Sequence, residues 1–425
     1  MKRDIPSMVA LTDESSPRAD LGHSLRIRPF RSLFLSSTVS AVGAAISIVS
    51  VNWVVYQFTR SSLDVAYLGL TGVVPGILLG FLAGVIADRY NRRNLMVMAD
   101  IVRMCCIGIL ALVLLIFGFS LILVLAMMTL VSAFSSIFIP ASQAILPSLV
   151  PKASLEDANG LLQSMDGVMY SAGSAIGGVT VAVAGVSLGL GINALTYALS
   201  ALFLFQLAST AHRVISPGPA QKKSFKTDFL EGVRYMRSNL PVFQVTLAFL
   251  PANFLWALVS PFLVILAAQR FGNSSLAYSA LVASLAAGTA IGAILTGRLR
   301  TGRFAGYLMG ACILVQGGAA TILAVSDILA ISVITAAIAG LFIGVTIATF
   351  YATLQSIIPS DLLARVLSID AVGAFGAIPA GLLVGGILIQ TISISGCYLV
   401  AGIGLLLTGS VALSLKGFRS IHQAL

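Results

Sequence analysis

The sequence predicts an all-α polytopic membrane protein, with 12 transmembrane helices in two pseudo-symmetric six-helix bundles and both termini cytoplasmic. Three observations predict it. Of 425 residues, 58% are hydrophobic and only 9% are Asp, Glu, Lys or Arg, against roughly 25% charged in a typical soluble domain. The apolar residues are gathered into twelve runs, each near the roughly 20 residues that a helix needs to cross a hydrocarbon core about 30 Å thick. The cations fall almost wholly on one side of those runs. Of the 25 Lys and Arg, 22 lie in the tails and even-side loops, Arg60 and Arg270 lie on the other side, and Arg103 sits inside the third run. Under the positive-inside rule this bias sets the topology.

Taken in order, the runs fall at 33–58, 63–87, 95–117, 120–144, 157–184 and 186–209, then 241–268, 275–299, 304–325, 328–353, 362–390 and 394–415. They divide the chain into a cytoplasmic tail (1–30), a first bundle (31–209), a linker (210–240), a second bundle (241–415) and a short tail (416–425). The first tail is polar, carries Pro6, Pro17 and Pro29, and lacks the apolar core of a signal peptide. The linker opens on Pro217, Gly218 and Pro219. It then places Phe225, Phe229, Val233 and Met236 at helical spacing, which predicts an amphipathic helix against the cytoplasmic face.

Composition excludes several function classes. The net charge of +10 is spread over short loops instead of a soluble basic patch, so nucleic acid is not an expected partner. Cys105, Cys106, Cys312 and Cys397 lie inside apolar runs with no CxxC or Cys/His spacing, and no metal or other cofactor is expected. No Walker motif or GxGxxG is present, which argues against ATP-driven pumping by this chain.

The two bundles carry an internal repeat. SMDGV (164–168) recurs as SIDAV (368–372), GVIADR (84–89) as AILTGR (293–298), and QAILP (143–147) as QSIIP (355–359). The first echo joins the fifth and eleventh runs, and the second joins the loops after the second and eighth.

The stretch GFLAGVIADRYNRRNLMVMADIVR resembles the loop 2–3 signature of the major facilitator superfamily, roughly G-x-x-x-D-R-x-x-R-R. Gly84, Asp88, Arg89, Arg92 and Arg93 match it, with Asn91 in place of the usual glycine. NWVVYQFTRSSLDVAYLGL, VPGILLG and IPASQAILPSLVPKASLEDANGL resemble its macrolide-efflux and siderophore-export branch, although Arg60 stands where that branch usually has glycine. The resemblance covers about 30–415. It implies alternating-access export of a hydrophobic or amphipathic small molecule (drug, macrolide-like or siderophore-like), with protons as coupling ion and the protein functional as a monomer. The fifth run reads GVMYSAGSAIGG, similar to the antiporter motif G-P-x-x-G-G with Ser174 at the proline position, and the fourth run lacks the arginine of other drug:proton antiporter branches. The coupling route is therefore left open.

The charged residues give candidate working parts. Asp88 ends the second run, where the helix dipole disfavours an anion. It is expected to dock on the free N–H groups that begin the eleventh, with Arg92 or Arg93 pairing Asp370 as a latch on the cytoplasmic side. By symmetry Asp166 would face the eighth run and Arg298. A carboxylate near the bilayer centre costs about 2.5–3.5 kcal/mol on insertion scales, so Asp166 and Asp370 serve as inter-half latch or proton carrier. Asp100 and Arg103, three apart, share a helix face and can pair.

In this fold the first, fourth, seventh and tenth helices line the substrate cavity, and their membrane portions hold no charged residue. Asn52, Gln57, Ser132, Ser135, Gln143, Asn253, Trp256, Thr346, Tyr351 and Gln355 supply the polar content, which suits an amphipathic ligand. Uptake symport, or flipping of a lipid such as a lysophospholipid, fits the same cavity. A non-transporting sensor is the more distant alternative, and enzymatic chemistry finds no nucleophile or acid/base group there.

Overall fold

The computed structural model describes residues 23–151, 154–207, 225–298 and 304–419. Side chains of 80–89, 225–229, Glu156, Gln163, Ser164, Asp166, Arg298 and some residues of 360–375 and 417–419 fall outside the description, and with them the expected roles of Gly84, Asp88, Arg89, Asp166 and Arg298. The described chain is helical: α1 (Arg28–Thr59), α2 (Ser62–Arg89), α3 (Arg92–Ile116), α4 (Leu121–Leu149), α5 (Leu155–Ala184), α6 (Val186–Phe205), α7 (Phe225–Ser238), α8 (Leu240–Ala257), α9 (Leu263–Arg270), α10 (Ser275–Arg298), α11 (Ala305–Val325), α12 (Leu329–Ile357), α13 (Ser360–Thr391) and α14 (Ile394–Ser414).

Among the described residues, eleven spans are long and apolar enough to cross a membrane, counting α8 and α9 together, and α13 adds the shorter apolar stretch Gly376–Thr391. Large apolar side chains face outward, Ile122 at 82% and Val183 at 81% exposed. Water would not tolerate such a surface, whereas lipid removes the penalty. The chain is an integral membrane protein.

One expectation is corrected. The single helix expected over 241–268 is two helices joined by a 3₁₀ turn, Ser260–Phe262. Pro261 has no N–H to continue the ladder. The donors around it bond three residues back instead, Leu258 N to Leu255 O (3.1 Å), Val259 N to Trp256 O (3.0 Å) and Phe262 N to Val259 O (3.2 Å).

Two bundles arise because neighbours recur with the repeat. In the first, α1 packs on α5 and α6, α2 on α4, and α3 on α4 and α6; in the second, α8 packs on α13 and α14, α10 on α12, and α11 on α12 and α14. Small residues bring backbones together. A Cβ at Gly292 of α10 would stand 2.0 Å from Leu341 O of α12, and one at Gly344 of α12 would stand 2.1 Å from Thr289 O of α10. The bundles meet through α2 against α13 and α5 against α10.

The buried apolar residues show where the bundles are joined. One cluster runs across both, from Val49 and Leu110 to Leu263, Tyr278 and Tyr398. Two separate clusters lie at the opposite end, Phe30, Met96, Ile145 and Leu204 in the first bundle and Val242, Met309, Leu354 and Val366 in the second. That end also carries the Arg92/Arg93 loop, and it is called the basic face below; the joined end is the far face.

Candidate functional site

The far face is held by polar contacts between bundles. At the end of α1, Gln57 Nε2 donates to Asn273 Oδ1 (2.5 Å), Asn273 Nδ2 donates to Gln57 Oε1 (3.0 Å), and Arg60 reaches both, Gln57 Oε1 at 2.8 Å and Asn273 Oδ1 at 3.2 Å. Arg60 caps α1 at φ 52°, ψ 19°. This left-handed region favours glycine, which gives a physical reason for glycine in the resembling branch; here two side-chain hydrogen bonds offset the strain. Gln57, an expected cavity residue, thus belongs to this contact between the bundles, which is proposed below as a gate. Gln269 Nε2 also donates to Tyr56 Oη (3.1 Å), and Trp53 stacks on Tyr278 with ring centres 6.4 Å apart.

Beneath this lid the repeat makes two matching seams. Ser62 Oγ at the start of α2 donates to Gly386 O of α13 (2.6 Å), and Ser275 Oγ at the start of α10 approaches Gly178 O of α5 (3.5 Å). Each acceptor is the second residue of a Gly-Gly pair. Ser171 Oγ of α5 also donates to Ala283 O of α10 (2.8 Å), so among the described residues the hydrogen bonds between bundles run from the far face to mid-membrane and none lies at the basic face. Asn273→Ala removes both amide bonds and the bond from Arg60, each worth about 0.5–1.5 kcal/mol at most in an exposed setting. We expect the gate to open a few-fold more often, read as faster labelling of a cavity cysteine from the far side.

At the basic face, the expected pairing of Arg92 or Arg93 with Asp370 is not made. Arg92 Nη1 donates to Ala144 O of α4 (2.6 Å), while Arg93 donates to Leu204 O (3.0 Å) and Phe205 O (2.6 Å) at the C-terminus of α6. Helix C-termini present unsatisfied carbonyls and a partial negative charge, which attract cations. Asn91 accepts from Asn94 N (3.3 Å) and so caps α3 where the family signature has glycine. Asp370, on α13, is 8% exposed and has no hydrogen bond or ion pair among the described residues. Beside it, α7 docks on α13 through Glu231 to Arg365 (2.8 Å), with Met236 buried and Gly232 against Ile369.

Asp100 and Arg103 form a buried ion pair on α3. Sequence spacing suggested the pair but not its setting. Ser200 Oγ of α6 donates to Asp100 Oδ2 (2.6 Å) and shares a 2.7 Å hydrogen bond with Ser36 Oγ of α1. The Arg103 guanidinium lies over the Phe138 ring at 4.4 Å and the Tyr197 ring at 4.7 Å. One charged pair therefore ties four helices.

Between the bundles lies a chamber of about 740 Å³, lined by α1, α2, α4, α5, α6 and α10 and by the α8–α9 break. A side pocket of about 290 Å³ in the second bundle shares Ser260, Leu285 and Thr289 with it. Asn52, Ser132 and Ser135 line the chamber; Asn253, Trp256 and Thr346 line the pocket. Gln143, Tyr351 and Gln355 are exposed and line neither. Sequence reasoning missed the large share of α10 in the wall. Its stripe Val282, Leu285, Ala286, Ala290 and Ala293 has helical period, but so has a lipid-facing stripe. No charged side chain among the described residues lines either space.

Comparison with known proteins agrees with this architecture. The model of the transmembrane secretion effector family matches residues 22–422. The multidrug efflux pump Tap of Mycolicibacterium fortuitum is 24% identical over 93% of this chain and 98% of its own. Macrolide efflux protein A of Streptococcus pyogenes is 23% identical over 88% and 92%. Among solved structures, a bacterial homologue of the iron transporter ferroportin in an inward-facing state aligns with TM-score 0.71 at 16% identity, covering 92% of this chain and 98% of that one. The chain belongs to the transmembrane secretion effector family of major facilitator superfamily transporters.

Proposed function

We propose that this protein is a secondary-active exporter of amphipathic small molecules, working by alternating access and driven by protons. The observation that carries the reading is the asymmetry of the core: one apolar cluster joins the bundles at the far face, and two separate clusters leave the chamber's other end undivided by inter-bundle bonds among the described residues. With twelve spans and the basic face cytoplasmic, this is an inward-open arrangement. Efflux pumps among the relatives support export. The latch expected of Asp88 on the start of α13 belongs to the opposite, outward-open state.

Asp370 supports proton coupling. A buried carboxylate with no cation beside it among the described residues carries an uncompensated charge in a low-dielectric setting, and binding a proton removes that charge. Asp166, its repeat partner, is proposed for the same role. In proteoliposomes loaded with a pH-sensitive dye, a panel of lipophilic drugs and siderophore-like compounds is expected to drive protons opposite to substrate. Asp370→Asn and Asp166→Asn are each expected to abolish the dependence on the pH gradient while substrate exchange persists. Substrate movement that ignores the gradient in the unaltered protein overturns the coupling, and points instead to a facilitator or a lipid flippase.

A further inference from the structure

The chamber walls are chemically unlike. On the first-bundle side, Ser47, 2% exposed, lines the chamber, and its buried Oγ has no hydrogen-bond partner among the described residues. A buried hydroxyl left unpaired carries a desolvation penalty that a ligand oxygen would relieve. One turn along, Asn52 spends an N–H on Ile48 O (2.9 Å), which leaves its carbonyl oxygen to accept. Ser132 of α4 adds a hydroxyl with no partner among the described residues. The opposite wall is the aliphatic stripe of α10.

The side pocket differs again. Trp256 Nε1 donates to Gln316 Oε1 (2.6 Å), and Gln316 Nε2 donates to Thr346 Oγ1 (2.9 Å). These polar groups satisfy one another, so the pocket presents the faces of Phe249, Trp256, Ile343 and Ile347. Asn253 alone keeps an amide without a partner among the described residues.

We propose that chamber and pocket form one bipartite site for a neutral ligand with two distinct parts. An oxygen-rich body, bearing ether, carbonyl or hydroxyl groups, lies on the α1/α4 wall against Ser47, Asn52 and Ser132. An apolar or aromatic arm passes Leu285 and Thr289 into the pocket beside Trp256, where Asn253 meets a single polar atom. The inference rests on the export reading and names its substrate class. It also assigns Ser47 and Asn253, on separate bundles, as specificity-determining residues, so that relative motion of the bundles pulls the two halves of the site apart and lowers affinity on the release side.

The test uses the full chain in lipid nanodiscs with three neutral probes: hexaethylene glycol, 7-methoxycoumarin, and the two joined covalently. Binding of the coumarin probes is read by fluorescence anisotropy against empty nanodiscs, and of the glycol by competition. The joined probe is expected to bind about tenfold or more tighter than either part, as linked fragments do when both sites are within reach. Ser47→Ala is expected to weaken the glycol and the joined probe about three- to tenfold, one hydrogen bond's worth, and to leave methoxycoumarin unchanged. Ile347→Trp, which fills the pocket, is expected to weaken methoxycoumarin and the joined probe and to leave the glycol unchanged. Asn253→Ala, which adds no bulk, gives the same pattern more weakly. A joined probe no tighter than methoxycoumarin, or substitutions that act alike on both parts, overturns the proposal. Binding needs no gradient, so the two readings fail separately. Bipartite binding without flux in proteoliposomes sinks export alone, and flux without bipartite binding sinks the bipartite site alone.

Discussion

Arg103→Ala is expected to cost about 3–5 kcal/mol of stability, the range for stranding one member of a buried ion pair. Asp100 is fully buried. Without Arg103 its remaining described partner is the Ser200 hydroxyl, 2.6 Å away. The guanidinium also fills the gap between the Phe138 and Tyr197 rings, so alanine removes packing together with charge. Thermal unfolding of the protein in nanodiscs, followed by tryptophan emission, checks the loss; a midpoint equal to that of the unaltered protein sinks the idea that the pair holds the first bundle. The double change Asp100→Leu with Arg103→Met separates charge from volume. Apolar replacements of similar size often match a buried pair in stability, so the double variant is expected to regain most of what Arg103→Ala loses. A double variant as unstable as the single one would mean that the hydroxyl chain through Ser200 and Ser36 is the indispensable element.

The residues of that pair illustrate what a sequence discloses. Asp100 and Arg103 are three apart, and helical geometry alone makes them neighbours. Ser36, Ser200, Phe138 and Tyr197 come from three other helices, and nothing local in the chain points to them. The all-helical membrane architecture was legible for the same reason: it rests on run length and composition, properties of short windows. Rotation and depth of each helix were not. Gln57 looks like a cavity amide until α1 is seen to end two residues later, at Thr59, which places it in the lid. Arg92 and Arg93 invite a carboxylate partner, yet a backbone carbonyl of α4 and the carbonyl end of α6 take them instead. The break in the seventh run was signalled by Pro261, a residue that membrane helices tolerate often enough to be passed over. Arg60, noted as a departure from glycine, turned out to mark a left-handed helix cap, a backbone property that residue type alone hints at.

Gly178→Leu is expected to jam the far-face gate open. A Cβ at this position would stand 1.8 Å from Ser279 Oγ and 2.1 Å from Ser279 Cβ. A rotamer change could move the hydroxyl, but the Cβ is fixed to α10. The two helices must therefore separate, and a leucine enlarges the separation that alanine begins. Overpacking of this kind costs about 1–3 kcal/mol, and here the cost falls on one conformation only. Contacts between α5 and α10 at this level exist where the far face is closed, so the penalty shifts the open–closed equilibrium by about 5- to 150-fold toward the open far face. Alternating access then stalls, because the empty or loaded carrier cannot reseal behind its cargo. The measurement is labelling of Ser132→Cys, in a Cys105→Ser background, by an impermeant maleimide applied at the far face. Labelling is expected to rise in the order glycine, alanine, leucine while proteoliposome flux falls in the same order. Unchanged labelling with normal flux would show that the Gly178 seam is static packing, and that the gate lies elsewhere along α2 and α13. Faster labelling with normal flux would show that closure of this seam does not limit the cycle. The matching seam offers an internal control, since a Cβ at Gly386 would stand 3.1 Å from Ala66 Cβ and 3.1 Å from Leu63 Cδ2. Those contacts are looser and partly to a mobile side-chain tip, so Gly386→Ala is expected to perturb the gate less than Gly178→Ala.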